Sequence, residues 1–190
     1  MKKGKIIIIS GPSGVGKTTV RKRLFEKKEL KLAYSISMTT RKKRENEQDK
    51  VDYHFVSVDR FKEVINEGRF LEYAQFAENY YGTLEEDVDR LINQGYNVVL
   101  EIEIKGAKQI LDKRDDVVSL FLMPPNFKEL KRRLISRRTD SKRAISKRLN
   151  RAKKEIKLAN LYNFIIINDD LEDAIVAATK IIEKANLEGE

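Results

Sequence analysis

The 190-residue chain contains no cysteine. Disulfides and thiolate metal sites are therefore excluded, and a reducing compartment is compatible. Its single histidine, His54, falls in a strand-like stretch and reads as a packed or surface residue. No apolar run is long enough to span a bilayer. The opening "MKKGKIIII" is basic and then apolar, but it breaks at Ser10-Gly11, too early for a signal-peptide core. A cytoplasmic location with no membrane partner is expected. Internal repeats and low-complexity linkers are also missing, so one domain over 1–190 is expected.

Hydrophobic residues make up 41% and charged residues 36%, which suits a soluble globular chain and not a disordered one. The net charge of +9 is local. Residues Lys131 to Lys154 hold twelve Lys/Arg and the one acid Asp140, so this segment carries +11 and the rest sums to −2. Basic residues concentrated near a phosphate site can serve a nucleotide. A duplex binder more often spreads them over a face, so no nucleic-acid partner is expected.

"KIIIIS" (5–10) is a continuous β-branched run, as in a parallel strand buried on both faces. A helix is expected over 18–28 and short strands at 32–37 and 53–58. Asp59 is expected to cap a helix that runs to about Glu67. "RFLEYAQF" (69–76) alternates as a half-exposed antiparallel strand does. "NYYGT" reads as a turn, 84–93 as a helix, and "YNVVLEIEI" (96–104) as a buried strand. A short helix (106–113), a strand (117–123) and a basic helical stretch (126–161, broken near Thr139-Asp140) follow. "FIIIND" (164–169) reads as the last buried strand, before an amphipathic helix over 171–185. Buried strands separated by helices imply an α/β fold with a parallel sheet and a strand-rich insert.

"GPSGVGKT" (11–18) has the spacing G-x-x-x-x-G-K-[ST], between a buried strand and a helix. Gly11, Gly14 and Gly16 let backbone N–H groups approach phosphate oxygens, and the helix N-terminus adds partial positive charge. Lys17 is expected on the β- and γ-phosphates and the Thr18 hydroxyl on Mg²⁺. Glu101 and Glu103 project at period two from a strand end, where a cation would offset the cost of two carboxylates. Which of the two faces the metal is open at this level. In the insert, Arg41 and Arg44 beside Ser37 can fork onto a phosphate, and Tyr53 and Tyr81 can donate to it. The carboxylate of Glu72 can accept two hydrogen bonds from the N1–H and 2-amino edge of guanine.

The set "GPSGVGKT", "SMTTRKKR", "DYHFVS", "FLEYAQF", "NYYGT", "LEIEIKGA", "PPNFKELKRRLISRRTD", "KRL" and "INDDL" resembles the guanylate kinase family over essentially the whole chain. The resemblance implies a core (about 1–34, 84–125 and 162–190) that holds ATP through Gly11, Pro12, Ser13, Gly14, Val15, Gly16, Lys17 and Thr18. Asn168 and Asp169 would border the adenine. It implies a GMP-binding insert (about 35–83), with Arg41, Arg44, Tyr53 and Tyr81 on the phosphate and Glu72, Ser37 and Thr83 on guanine. Glu101 and Glu103 would lie at the acceptor. It implies a basic lid (about 126–161), whose Arg133, Arg137 and Arg148 would join Lys17 and Arg41 at the transferring phosphoryl. The implied reaction is Mg-dependent transfer from ATP to GMP by a monomer or homodimer. Four positions depart from the family pattern: Glu103 stands where Asp is usual, Lys105 where Gln is usual, Thr83 where Ser is common, and Arg138 where a small residue is often found.

Overall fold

Four consecutive isoleucines need two apolar environments, because alternate residues of a strand face opposite ways. The computed structural model, which describes residues 2–76, 78–136 and 141–187, supplies both. In chain order it comprises β1 (Ile6–Ser10), α1 (Lys17–Phe25), β2 (Leu32–Tyr34), β3 (Met38–Thr39), β4 (His54–Phe55), α2 (Val58–Asn66), β5 (Phe70–Phe76), β6 (Asn79–Leu84) and α3 (Glu85–Asn93). Next come β7 (Asn97–Glu101), α4 (Ile104–Leu111), β8 (Val117–Met123), α5 (Phe127–Ser136), α6 (Lys142–Ile156), β9 (Phe164–Ile167) and α7 (Leu171–Leu187).

The core sheet has the order β2-β7-β1-β8-β9, and every pairing in it is parallel. Ile7 and Ile9 pack with Val20 and Leu24 of α1 and with Ile175, Ala178 and Ile182 of α7. Ile6 and Ile8 face the other way, onto Val88 and Ile92 of α3 and Ala107 and Ile110 of α4. Burial on both faces makes β1 the rigid centre from which the glycine-rich loop springs.

A second, mixed sheet has the order β4-β3-β6-β5. Its β5–β6 and β3–β6 pairs are antiparallel, and its β3–β4 pair is parallel. Met38, Phe61, Val64, Phe70 and Leu84 form its own small core. The basic stretch folds as the pair α5 and α6 around Leu130, Leu134 and Ala152.

The structure corrects four local expectations. The strand expected over 32–37 stops at Tyr34, because the chain leaves the core sheet there and joins the second sheet at Met38. "NYYGT" is part of β6, not a turn. Gly82 reflects crowding against the neighbouring strand, since a Cβ there would sit 2.7 Å from the Phe70 ring. Ser57, not Asp59, caps α2, and its hydroxyl accepts the Arg60 N–H at 3.1 Å. β9 is an edge strand that leaves Phe164, Ile165 and Ile167 exposed, so an apolar run did not mean burial on both faces.

Candidate active site

The glycine-rich loop leaves β1 at Ser10 and turns into α1 at Lys17. Gly14 and Gly16 have φ of +90° and +102°, a region that side chains rarely tolerate. The loop is braced from behind. The buried Asn168 amide donates to the Val15 carbonyl at 2.7 Å, and a Cβ on residue 16 would meet that amide nitrogen at 2.6 Å. The Ser10 hydroxyl donates to the Ile102 carbonyl at 2.7 Å, tying the loop to the end of β7. Lys17 Nζ folds over the loop and donates to the Gly11 carbonyl at 2.6 Å and the Pro12 carbonyl at 3.3 Å. Gly11, Ser13, Gly14, Gly16, Lys17 and Thr18 line a cleft of about 430 Å³, while Pro12 and Val15 are buried beneath it.

The far wall of this cleft separates the two acids. Thr18 Oγ1 donates to Glu101 Oε1 at 3.1 Å, and Arg21 Nε lies 3.3 Å from Glu101 Oε2. Glu103 lies beyond β7, at the start of α4, and pairs with Arg151 of α6 at 2.6 Å. The strand expected over 96–104 thus ends at Glu101 and its period two does not extend to Glu103; both acids line the cleft, with different partners. Among the described residues no group of three or more His, Cys, Asp and Glu gathers as a metal site.

A second cavity, of about 330 Å³, is lined by Ser37, Tyr53, Glu72 and Tyr81 and shares Glu101 and Glu103 with the first. Glu72 on β5 is only 7% exposed. Its Oε1 accepts the Thr83 hydroxyl of β6 at 2.8 Å, and its Oε2 has no donor among the described residues. Gly106 of α4 makes room for this oxygen, since a Cβ there would lie 2.5 Å from it. Burial pushes the Glu72 carboxyl above the ordinary glutamate range, with the Thr83 hydrogen bond pulling the other way. A buried carboxylate with one oxygen unpartnered and turned to a cavity is costly unless a donor arrives.

Arg41 stands at the rim, its guanidinium 5.5 Å from the Tyr53 ring centroid and 5.8 Å from that of Phe55. Arg44 is exposed. Both are organised by Glu47, which sequence reasoning missed. Its Oε1 accepts from Arg41 Nη2 at 2.7 Å, and its Oε2 accepts the Arg44 backbone N–H at 2.9 Å. The Arg41 hydrogen bond, then the Arg44 N–H, hold the Glu47 carboxyl below the usual range. In a loop crowded with cations an acid reads as solvated. The signal was there only in its spacing, three residues past Arg44.

Arg148 of α6 reaches the loop, its Nη1 3.4 Å from Ser13 Oγ. Arg133 of α5 reaches the loop at its buried Val15 carbonyl, at 3.5 Å. It donates to the Asn168 carbonyl at 3.0 Å and to Glu129 at 2.8 Å, docking α5 against the 168–169 segment. Asp169 is exposed beside it. Arg137 and Arg138 lie outside the described residues. Arg151, the other residue missed, lines the cleft one turn beyond Arg148.

Known proteins share this fold. The family model described as guanylate kinase matches residues 3–185. The chain belongs to the guanylate kinase family. The guanylate kinase of Malacoplasma penetrans (strain HF-2) is 50% identical over 190 residues, covering 96% of this chain and 97% of its own. The crystal structure of guanylate kinase from Anaplasma phagocytophilum superposes with a TM-score of 0.72 at 30% identity, over 96% of this chain and 86% of that one. An uncharacterized protein from Eubacterium ventriosum shares the fold alone, at a TM-score of 0.51 and 18% identity. The parallel core flanked by helices and the separate mixed sheet are thus the guanylate kinase fold. Family membership makes the chain a GMP phosphotransferase that uses ATP.

Proposed function

We propose that the loop cleft takes ATP and the neighbouring cavity takes GMP, so that the γ-phosphoryl group crosses where the two spaces meet at Glu101 and Glu103. The observation that carries this assignment is the half-satisfied Glu72 carboxylate in the second cavity. Guanine presents two adjacent donors, N1–H and the 2-amino group, to such an acceptor. Adenine presents no such pair. Ser37 and Thr83 sit beside it as further hydrogen-bonding groups.

In this reading residues 35–83 form the acceptor subdomain, 126–161 the lid, and the remainder the core. Tyr53 and Tyr81, whose rings lie 6.2 Å apart, close the phosphate end of the cavity. Arg41 and Arg44 bind the acceptor phosphate, and Glu47 presets them. The acceptor oxygen is largely ionised at neutral pH, so no general base is required. The task is to screen two anions from each other and to stabilise charge on the transferring group. Lys17, Arg41 and Arg148 supply positive charge from three sides, with Arg133 arriving as α5 and α6 close and Arg137 joining them by the family resemblance.

Thr18 and Glu101 fit a Mg²⁺ carried by the nucleotide, because a hydroxyl and a carboxylate oxygen 3.1 Å apart are hard donors beside the phosphate loop. Bound there, the ion would neutralise charge on the phosphates. Two oxygen donors and no enclosed cage suit an ion held mainly by phosphates and water. Nothing in this scheme needs a membrane or a nucleic acid, and among the described residues no helix is long and apolar enough to cross a membrane. A cytoplasmic monomer or homodimer suffices.

Glu72→Gln tests the acceptor assignment. The amide keeps the shape but loses one acceptor and presents an N–H to guanine. The loss of kcat/KM for GMP is expected to be about 100-fold, with the KM for ATP unchanged. Unchanged GMP turnover would remove guanine from this cavity.

A further inference from the structure

Arg151 is held on two sides. Its Nε donates to Glu155 Oε1, one turn further along α6, at 2.8 Å. Its Nη2 pairs with Glu103 at 2.6 Å. An arginine carries five N–H donors in a fixed plane, so three remain, with no acceptor among the described residues. Arg148 and Arg151 are three residues apart on α6 and share one helical face. Both line the phosphate-loop cleft. A guanidinium locked by two carboxylates, with donors left over at a phosphate cleft, is preorganised for an anion.

We infer that Arg151 is a phosphate-binding residue of this kinase and that Glu103 is the positioning residue that sets it. This reading explains the length of Glu103. The carboxylate must reach from the start of α4 across to α6, and aspartate at this position would end about 1.5 Å short, one C–C bond. It also divides the labour of the two acids. Glu101 belongs to Thr18 and the nucleotide's metal, and Glu103 belongs to α6. Because Glu103 stands at the start of α4 and Arg151 on α6, the pair ties α6 to the end of the core sheet. Glu155 acts from the same helix and keeps the guanidinium plane fixed.

The inference rests on the GMP kinase reading, which wild-type turnover of GMP checks independently. Steady-state kinetics on Arg151→Met, Arg151→Lys, Glu103→Gln, Glu103→Asp and the double variant Glu103→Gln/Arg151→Met test it. Arg151→Met is expected to lower kcat about 100- to 1,000-fold, the range for losing one oriented donor at a transferring group, with both KM values within about threefold. Arg151→Lys keeps charge without the fork and should fall between. Glu103→Gln and Glu103→Asp should each show a smaller loss of the same kind, and the double variant should match Arg151→Met alone. Wild-type kcat in Arg151→Met would overturn the inference. So would additive losses in the double variant, or a fully active Glu103→Asp. Melting temperatures identify any variant that is merely unfolded, and the Lys and Asp variants then decide the outcome.

Discussion

At the scale of single residues, Glu72 controls pH behaviour. Burial raises its folded-state pKa above the unfolded value. Its contribution to stability is therefore complete below the unfolded pKa and is lost as pH rises through the folded pKa. GMP binding runs the other way, because two guanine donors require the carboxylate. GMP affinity should weaken as pH falls through the raised pKa, and Glu72→Gln should flatten that part of the profile. Calorimetric titrations of wild type and variant across the same buffers separate this effect from protonation of the GMP phosphate. Glu47 supports a second prediction. Glu47→Ala releases Arg41 from its partner at 2.7 Å and the Arg44 N–H from its acceptor. The KM for GMP should rise about tenfold, the worth of one charge-assisted hydrogen bond, with the KM for ATP constant. Legibility differed between these residues. The place of Lys17 and Thr18 at the cleft could be read because the glycine-rich loop is a local motif, whose spacing fixes where its residues stand. Glu47 and Arg151 could not, because an ion pair acquires meaning only when the fold supplies the partner.

At the scale of elements, long periodic segments were readable and short ones were not. β8 lies where its apolar run ends at two prolines. β6 was misread because "NYYGT" has turn composition, while its pairing with β3 and β5 is a tertiary choice. β9 was misread because an isoleucine run cannot report that it lies at a sheet edge. The junction between β1 and α1 is the element most sensitive to substitution. Gly16→Ala forces a side chain into positive φ and against Asn168. That strain costs about 1–3 kcal/mol, or roughly 2–4 °C of melting temperature per kcal/mol in a chain of this size. ATP affinity should fall with it, and differential scanning calorimetry with and without ATP reads both effects. Arg114 is the corresponding structural tie elsewhere. Its guanidinium contacts Asp116 and Asp89 at 2.8 Å and Glu85 at 3.3 Å, joining the end of α4 to α3 and the start of β8. Arg114→Met leaves three acids without their cation and should lower stability by about 1–3 kcal/mol, with kcat retained, in urea unfolding followed by circular dichroism.

At the scale of the whole molecule, the proposed reading sets two anion sites side by side in adjoining cavities, with cations drawn from core, insert and lid. The +11 of residues 131–154 belongs to α5, α6 and the segment between them, which agrees with charge concentrated for a nucleotide. Arg148 meets the loop at Ser13, inside the cleft, and Arg133 meets it at the buried Val15 carbonyl, outside the cleft lining, so the proposed meeting of both at one phosphoryl group requires α5 and α6 to move. Small-angle scattering should show compaction when a GMP–ATP bisubstrate analogue is added, and an unchanged radius of gyration would count against closure. The central claim is narrower: the second cavity selects guanine, and its phosphate is the acceptor. A coupled ADP-release assay with ATP and each of GMP, AMP, CMP and UMP tests it most directly. The account predicts turnover with GMP and none above background with the other three. Comparable turnover with AMP would contradict it.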